Sequence, residues 1–409
     1  MDALHLHFLS IVRSALLGQP AADPGDLRHD DCAALAELAR IQRVEPLFFE
    51  AVYRWPIFRT WEKTPLLHRS VRQQVLRQTL RTAEFTRLNQ TLAEAGLAPL
   101  VVKGIICRSL YPQPDHRPSG DEDLLIDEED FPRVHEIFTQ FGLRPWGKAD
   151  SYEVPYRKEG SPLYIELHKH LFPPESEAYG SFNRFFEDAH LRAVTTEIQG
   201  VPFRTLEHTD HFLYLILHAF KHFLHSGFGI RQLCDMVLFA NRYGTELDWQ
   251  RIEVSCRSLR AEKFAAALLR IGEIHLGLDP DKACLPEHWR RMALDPEPML
   301  EDLLEGGLYG DNSMSRKHSS NITLDAAAAG NQGKKPRGGL VSSLFPPADK
   351  LRDRYPYLRE KPWLLPAAWC SRILTYRSQT RGSLDNTPAQ ALKIGKTRVQ
   401  LLKDYDIIP

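Results

Sequence analysis

Hydrophobic positions repeat at helical spacing in the first 95 residues of this chain and again between residues 206 and 305. In both regions apolar side chains recur every three or four positions, which is the spacing of helices with one buried face. The longest such pattern runs from Leu67 to Ala95 and stops at Gly96, a residue type that commonly ends helices. We therefore predict an N-terminal helical region over residues 1–95 and a helical domain over residues 206–305.

Between these regions, residues 96–205 alternate apolar and polar positions over short runs, as half-buried strands do. The predicted strands cover residues 98–103, 122–126, 143–148, 152–157 and 162–168. A helix is predicted from Glu128 to Phe141, and Gln199-Gly200 indicates a hairpin within residues 197–205. These elements predict an α+β fold, in which a small mixed β-sheet core is flanked by N-terminal and C-terminal helical regions.

Residues 306–340 are rich in glycine, serine and lysine and predict a flexible loop, which is followed by a C-terminal helical segment over residues 341–409. The loop carries Arg316 and Lys317. Two interpretations stay open for it: the loop brings these two cations to phosphate groups, or it only connects two domains.

Composition limits the classes of partner and compartment. The net charge of −1 gives no general attraction for nucleic acid, which weighs against an RNA acceptor. The six cysteines are scattered without a Cys-x-x-Cys pair, which favours reduced thiols and a cytoplasmic location over a zinc site or a disulfide framework. No apolar run approaches the roughly 18 residues of a membrane-spanning helix, so no such helix is expected.

The candidate chemistry centres on two carboxylates. Asp121 and Asp123 lie two positions apart where a polar turn enters the predicted strand 122–126, so both point to one face while Glu122 points to the other. Neighbouring carboxylates repel each other unless a cation lies between them, and a divalent metal removes the repulsion. The alternative is a solvated turn without a metal. The pattern favours metal-assisted phosphoryl or nucleotidyl transfer.

A third carboxylate and a glycine turn extend this hypothesis. Glu166 and His168 share one face of the predicted strand 162–168, and Glu166 beside the aspartates would complete a two-metal site. An ordinary half-exposed strand with a polar face is the alternative. Lys103 and Gly104 follow the first strand, where glycine allows the backbone to approach phosphates and a helix N-terminus favours anions.

A polar face is also predicted on the first helix of the 206–305 region. His218, Lys221, His222 and His225 lie at helical spacing on one side of it. Two histidines four positions apart can bind zinc, but the sequence offers no evident third ligand. This face either covers the nucleotide or the acceptor, or is an ordinary polar surface.

Together these motifs resemble the uncharacterised nucleotidyltransferase family of the DNA polymerase beta-like nucleotidyltransferase superfamily. The matching blocks are Lys103-Gly104, Tyr111-Pro112, Arg117 to Ile126, Glu166-Leu167-His168, His218-x-x-Lys221-His222 and Arg231-x-x-Cys234-Asp235. The resemblance implies Mg²⁺- or Mn²⁺-dependent transfer of an NMP group from an NTP, with ATP as the expected donor, to a hydroxyl acceptor. That acceptor is a small molecule, a peptide or a protein.

The same resemblance implies roles for individual residues. The metal-binding and catalytic residues would be Asp121, Asp123 and Glu166. The nucleotide- and phosphate-binding residues would be Lys103, Gly104, Arg117, Gly120 and His168. The further candidates from the matching blocks are His218, Lys221, His222, Arg231 and Asp235. The predicted loop adds Arg316 and Lys317 as candidates that do not depend on the resemblance.

The sequence departs from the wider superfamily at one position. Its members usually carry Gly-Gly or Gly-Ser after the first strand, whereas Ile105 follows Gly104 here. This departure leaves a non-catalytic nucleotide-binding sensor or scaffold open as an alternative. A toxin-like enzyme that modifies tRNA or protein is a further alternative.

Overall fold

A computed structural model describes most of the chain. The described residues are 1–146, 151–307, 314–331, 348–351, 355–371 and 388–408. They form an α+β structure in which helices flank a mixed sheet, which confirms the predicted fold class. None of the helices in these ranges combines the length and the hydrophobicity that a bilayer crossing requires.

The described part of the sheet has seven strands. They are β1 Leu100–Val102, β2 Glu122–Leu125, β3 Arg144–Pro145, β4 Glu153–Arg157, β5 Tyr164–His168, β6 Val194–Ile198 and β7 Val201–Thr205. Their order across the sheet is β3-β4-β5-β2-β1-β7-β6. Strand β2 pairs antiparallel with β1 and parallel with β5, while β6 and β7 form the hairpin predicted at Gln199-Gly200. The predicted strand 143–148 extends into residues 147–150, which lie outside the described residues.

The helices surround this sheet in chain order. Those before β2 are α1 Ala3–Leu16, α2 His29–Ile41, α3 Glu45–Val52, α4 Pro56–Thr60, α5 Thr64–Glu94 and α6 Gly104–Arg108. Those after it are α7 Phe131–Gln140, α8 Ala189–Arg192, α9 His208–His225, α10 Ile230–Tyr243, α11 Trp249–Ser258, α12 Glu262–Ile271, α13 Glu287–Arg290, α14 Glu297–Gly306, α15 Met314–Asn331 and α16 Pro388–Asp404. Helix α15 corrects the prediction that all of residues 306–340 form a loop.

One face of the sheet is covered by α5 and α7. Leu124, Ile165 and Leu167 point to this side and pack in one apolar core with Phe85 of α5 and Phe138 of α7. Because side chains alternate along a strand, the residues between these positions point to the opposite face. The alternation that predicted the strands therefore also decides which side of the sheet carries the polar residues.

The opposite face lies under α9 and α10. Val102 and Leu125 join the large helical core on this side. Asp123, Glu166 and His168 also point this way, and together with residues of α9 and α10 they line a cavity. The sheet and the two helices thus enclose the polar side chains that the sequence singled out.

Candidate active site

Strand pairing brings two acidic residues and a histidine together. Asp123 of β2 is the register partner of Glu166 on the parallel strand β5, and His168 follows two positions later on the same face. One potential ligand atom from each of the three lies within 4.8 Å of the others. Asp123 and His168 are buried, whereas Glu166 is partly exposed. Glu166 therefore lies beside Asp123, as the two-metal hypothesis required.

Asp121 lies on the same side of the sheet as Asp123, as its spacing predicted. It precedes β2 and lines the same cavity, but the three-residue cluster found in the described part of the chain does not contain it. Burial and the neighbouring charge of Asp123 both raise the pKa of Asp121. Gly120, directly before it, is exposed in the turn. The proposed metal role of Asp121 stays a prediction.

Lys103 is the cation closest to this cluster. Its Nζ lies 3.0 Å from Asp123 Oδ2 and 3.0 Å from His218 Nε2. Burial lowers the pKa of Lys103, but the carboxylates of Asp123 and Asp121 outweigh that effect and hold its pKa well above the usual range. Lys103 is therefore an ammonium ion at neutral pH.

The cluster has the electrostatic properties of a cation site. Burial raises the pKa of Asp123, but Lys103 and His168 outweigh this effect and lower it overall, so Asp123 is ionised. Asp123 Oδ1 lies 3.2 Å from His168 Nε2, whereas buried Oδ2 has no well-aligned hydrogen-bond donor among the described residues, although Lys103 is close. Burial, followed by the charge of Asp123, raises the pKa of Glu166 to about 9. The raised pKa of Glu166 means that a second negative charge beside Asp123 is unfavourable without a further cation, and a divalent metal would supply that cation.

The turn at Lys103 and Gly104 is bound by a carboxylate of the protein itself, that of Glu122. Glu122 points away from the cavity, and its carboxylate accepts hydrogen bonds from the Ile105 N–H at 2.9 Å and from Arg108 Nη2 at 2.8 Å. A Cβ atom at Gly104, whose φ is +23°, would overlap with Glu122 Oε2. The Ile105 amide at the start of α6, where the sequence predicted phosphate, therefore binds a buried glutamate, and the absence of a side chain at Gly104 makes room for that glutamate. A phosphate contact of Gly104 stays a prediction.

Arg117 is also held by a carboxylate. Its Nε and Nη2 donate to the two oxygens of Asp235 at 2.9 Å and 2.5 Å, and its Nη1 donates to Ser119 at 2.6 Å. Tyr111 donates to the same aspartate at 2.8 Å. Burial raises the pKa of Asp235, but Arg117 outweighs burial and lowers it. These contacts join the loop before β2 to α10, and a phosphate contact of Arg117 would have to compete with them.

Helices α9 and α10 supply the remaining wall of the cavity, whose volume is about 260 Å³. Helix α9 contributes Tyr214, His218, Lys221 and His222, and α10 contributes Arg231, Gln232 and Asp235. Arg231 is buried and its Nη1 donates to the Pro118 carbonyl, but its Nε has no hydrogen-bond partner among the described residues. The polar face predicted on α9 thus covers the acidic cluster, and Lys221 and Arg231 add positive charge opposite it.

The two histidines of α9 lie close together in the wall of this cavity. The Nε2 atoms of His218 and His222 lie 3.3 Å apart, and burial holds the pKa of each well below the usual range. Of the side chains that the structure describes, the group with metal-ligand spacing contains neither of them. The ammonium of Lys103 beside His218 also disfavours a second cation there.

Arg316 lies in a helix and has structural partners. It is buried in α15, where its Nη2 lies 2.7 Å from Asp302 Oδ1 and its Nε donates to the Ser226 carbonyl at 2.7 Å. These contacts join α15 to α14 and to the end of α9, and they give no support to the predicted delivery of Arg316 to phosphates. The side chain of Lys317 lies outside the described residues.

A comparison with known protein families places the cavity within a matched family region. Residues 28–277 match the model of a family described as uncharacterised nucleotidyltransferases, and this range contains every residue that lines the cavity. Searches of curated proteins and of solved structures gave no match.

Proposed function

This chain belongs to the family of uncharacterised nucleotidyltransferases, and we propose that it transfers an NMP group from an NTP to a hydroxyl acceptor with release of pyrophosphate. One observation carries the proposal: Asp123, Glu166 and His168 meet within 4.8 Å on one face of the sheet, and a cavity opens in front of them. A second carboxylate beside the buried Asp123, whose Oδ2 has no well-aligned donor among the described residues, favours a cation over a purely structural role.

The residues that would bind a divalent metal are Asp123, Glu166 and His168. Asp121 is a further carboxylate that lines the same cavity. Mg²⁺ or Mn²⁺ bound there would neutralise phosphate charge and lower the pKa of the attacking hydroxyl. His168 also orients Asp123 through their 3.2 Å contact. Glu166 lies at the partly exposed side of the cluster, where it is the candidate to take the proton of the acceptor hydroxyl.

The triphosphate would bind to the cations that surround the cluster. Lys103 lies beside Asp123, and Lys221 and Arg231 face it from α9 and α10. Positive groups fixed before the reaction stabilise the charge that develops on the leaving pyrophosphate without reorganising during the step. We assign this role to Lys103, Lys221 and Arg231 in preference to Arg117, because Arg117 is already paired with Asp235.

A non-catalytic nucleotide-binding protein is the second candidate. The observation that favours it is the Glu122 carboxylate, which accepts the hydrogen bond of the Ile105 amide at the helix N-terminus where the sequence predicted phosphate. A sensor or scaffold would bind an NTP and metal without cleaving the nucleotide. The nature of the acceptor, the preference for ATP and the cytoplasmic location stay predictions.

The test is pyrophosphate release from each NTP in the presence of Mg²⁺ or Mn²⁺ and fractions of a cell lysate as acceptors. We expect release by the wild type and a loss of at least about 100-fold in Asp123→Asn, since one metal ligand is lost. Asp127→Asn is the matched control, because this exposed aspartate follows the same strand outside the acidic cluster. Metal-dependent NTP binding without any release would favour the sensor, and equal release by Asp123→Asn would contradict the proposed site.

A further inference from the structure

Lys103 has an unusual backbone conformation for its residue type. Its φ is +55° and its ψ is −107°, between the end of β1 and the start of α6. Residues with a Cβ atom rarely adopt positive φ, and such conformations persist only where surrounding contacts fix them. Glycine would adopt this conformation more easily, but it would not supply the ammonium that lies beside Asp123.

A buried histidine of α9 contacts this backbone. His211 is 1% exposed, and its Nε2 accepts a hydrogen bond from the Lys103 N–H at 3.1 Å. Its Nδ1 lies 3.3 Å from Thr205 Oγ1, which itself donates to the Val101 carbonyl at 2.6 Å. Val101 and Thr205 are register partners on β1 and β7.

Only one arrangement of protons satisfies all three contacts. The Thr205 hydroxyl hydrogen is used by the Val101 carbonyl, so Nδ1 of His211 must donate to Thr205. Nε2 is then unprotonated and accepts from Lys103. Burial lowers the pKa of His211 to about 3, in agreement with a neutral ring. The tautomer is thus set by the sheet, and its free lone pair points at Lys103.

We infer that His211 is a positioning residue, which fixes the strained Lys103 backbone to the β1–β7 pair through Thr205 and so sets the Lys103 ammonium beside Asp123. His211 is not among the residues that line the cavity, so it acts through Lys103 and not on the substrate. The inference rests on the proposed function only where it assigns Lys103 a phosphate contact.

Two substitutions of His211 distinguish the effect of its acceptor atom from the effect of its ring volume. His211→Gln keeps an acceptor at a similar distance along the side chain, whereas His211→Phe keeps a buried ring and removes the acceptor. His208→Gln is the control, because this histidine begins the same helix and pairs with Glu246. Each variant is made in the wild type and in Lys103→Met, and its thermal unfolding is recorded.

The first readout does not need a nucleotide. Amide hydrogen exchange of the segment 100–107 should become about tenfold faster in His211→Phe, a change of about 1.4 kcal/mol in local opening, and stay at the wild-type rate in His211→Gln and His208→Gln. Wild-type exchange in His211→Phe would overturn the inference. If wild-type protein binds no NTP, the proposed function fails, but this exchange measurement still decides the role of His211.

The second readout is the Kd for an NTP with Mn²⁺. We expect His211→Phe to weaken binding about tenfold, His211→Gln to restore most of it, and His211→Phe to have no further effect in the Lys103→Met protein. An equal loss in both backgrounds would show that His211 does not act through Lys103. That result would contradict the inference and leave the proposed nucleotidyl transfer intact.

Discussion

The Lys103 ammonium contacts the carboxylate oxygen of Asp123 that a bound metal would need. Its Nζ is 3.0 Å from Asp123 Oδ2, and the exposed fractions of the two side chains are only 16% and 3%. A cation that binds Asp123 must therefore compete with Lys103. We predict that Lys103→Met raises the affinity of the cluster for Mn²⁺ when no nucleotide is present.

The size of the effect follows from this separation. At 3.0 Å and an effective dielectric constant of about 20, two unit charges attract each other by roughly 5 kcal/mol. When the metal displaces Lys103 from Asp123, hydration of the released ammonium and its movement to a new position offset much of this lost attraction. If about 1.4 kcal/mol remains as a penalty, removing Lys103 tightens Mn²⁺ binding about tenfold.

Isothermal titration calorimetry with Mn²⁺ measures this change directly. Lys169→Met is the matched control, because Lys169 also forms a 3.0 Å ion pair, but with Glu128 outside the cluster. With an NTP present the order should reverse, since Lys103→Met then lacks a phosphate-binding cation. If Lys103→Met bound Mn²⁺ no more tightly than the wild type without nucleotide, the competition between lysine and metal would be refuted.

Three further predictions concern stability. Gly104→Ala should lower the free energy of unfolding by about 1–3 kcal/mol more than Gly160→Ala in urea denaturation, because both glycines have positive φ but only Gly104 lies against Glu122; equal losses would contradict the overlap. Arg316→Met should lower it by about 1–3 kcal/mol, because Asp302 of α14 loses one of its two buried cations but keeps Arg398 at 3.4 Å. The Kd of the folded variant for an NTP should stay unchanged, and a higher Kd would restore the phosphate role of Arg316. The pKa of Asp235 is lowered in the folded protein, so its stabilising effect is complete above its unfolded pKa of about 4 and is lost as the pH falls. Asp235→Asn should therefore show a smaller fall in Tm below about pH 4 than the wild type does, and an identical fall would contradict the pairing.

The strands and the acidic cluster could be predicted because they depend on short-range periodicity. Alternation along 162–168 fixed which side chains share a face, and the parallel pairing of β2 with β5 then placed Glu166 beside Asp123. The polar face of α9 was likewise visible from helical spacing. Predicting these features requires only the side-chain periodicities of a strand and of a helix.

The partners of the basic residues could not be predicted, because they come from distant parts of the chain. Arg117 and Asp235 are 118 positions apart, and nothing in either segment indicates their pairing. The role of His211 could not be predicted either, because its two hydrogen bonds go to Lys103, directly after β1, and to Thr205 of β7. The glycines and serines around Arg316 favoured a loop, whereas packing of α15 against α16 and α9 stabilises a helix there.

In the proposed reaction, the bond between the α- and β-phosphates of an NTP is broken at the Asp123 cluster. The most direct measurement incubates the protein with one NTP labelled either at the α- or at the γ-phosphate, with Mg²⁺ or Mn²⁺ and lysate fractions as acceptors. We predict that α-label becomes attached to an acceptor, that γ-label leaves in pyrophosphate, and that Asp123→Asn does neither. Transfer of the γ-label to the acceptor, or unchanged transfer by Asp123→Asn, would contradict the account.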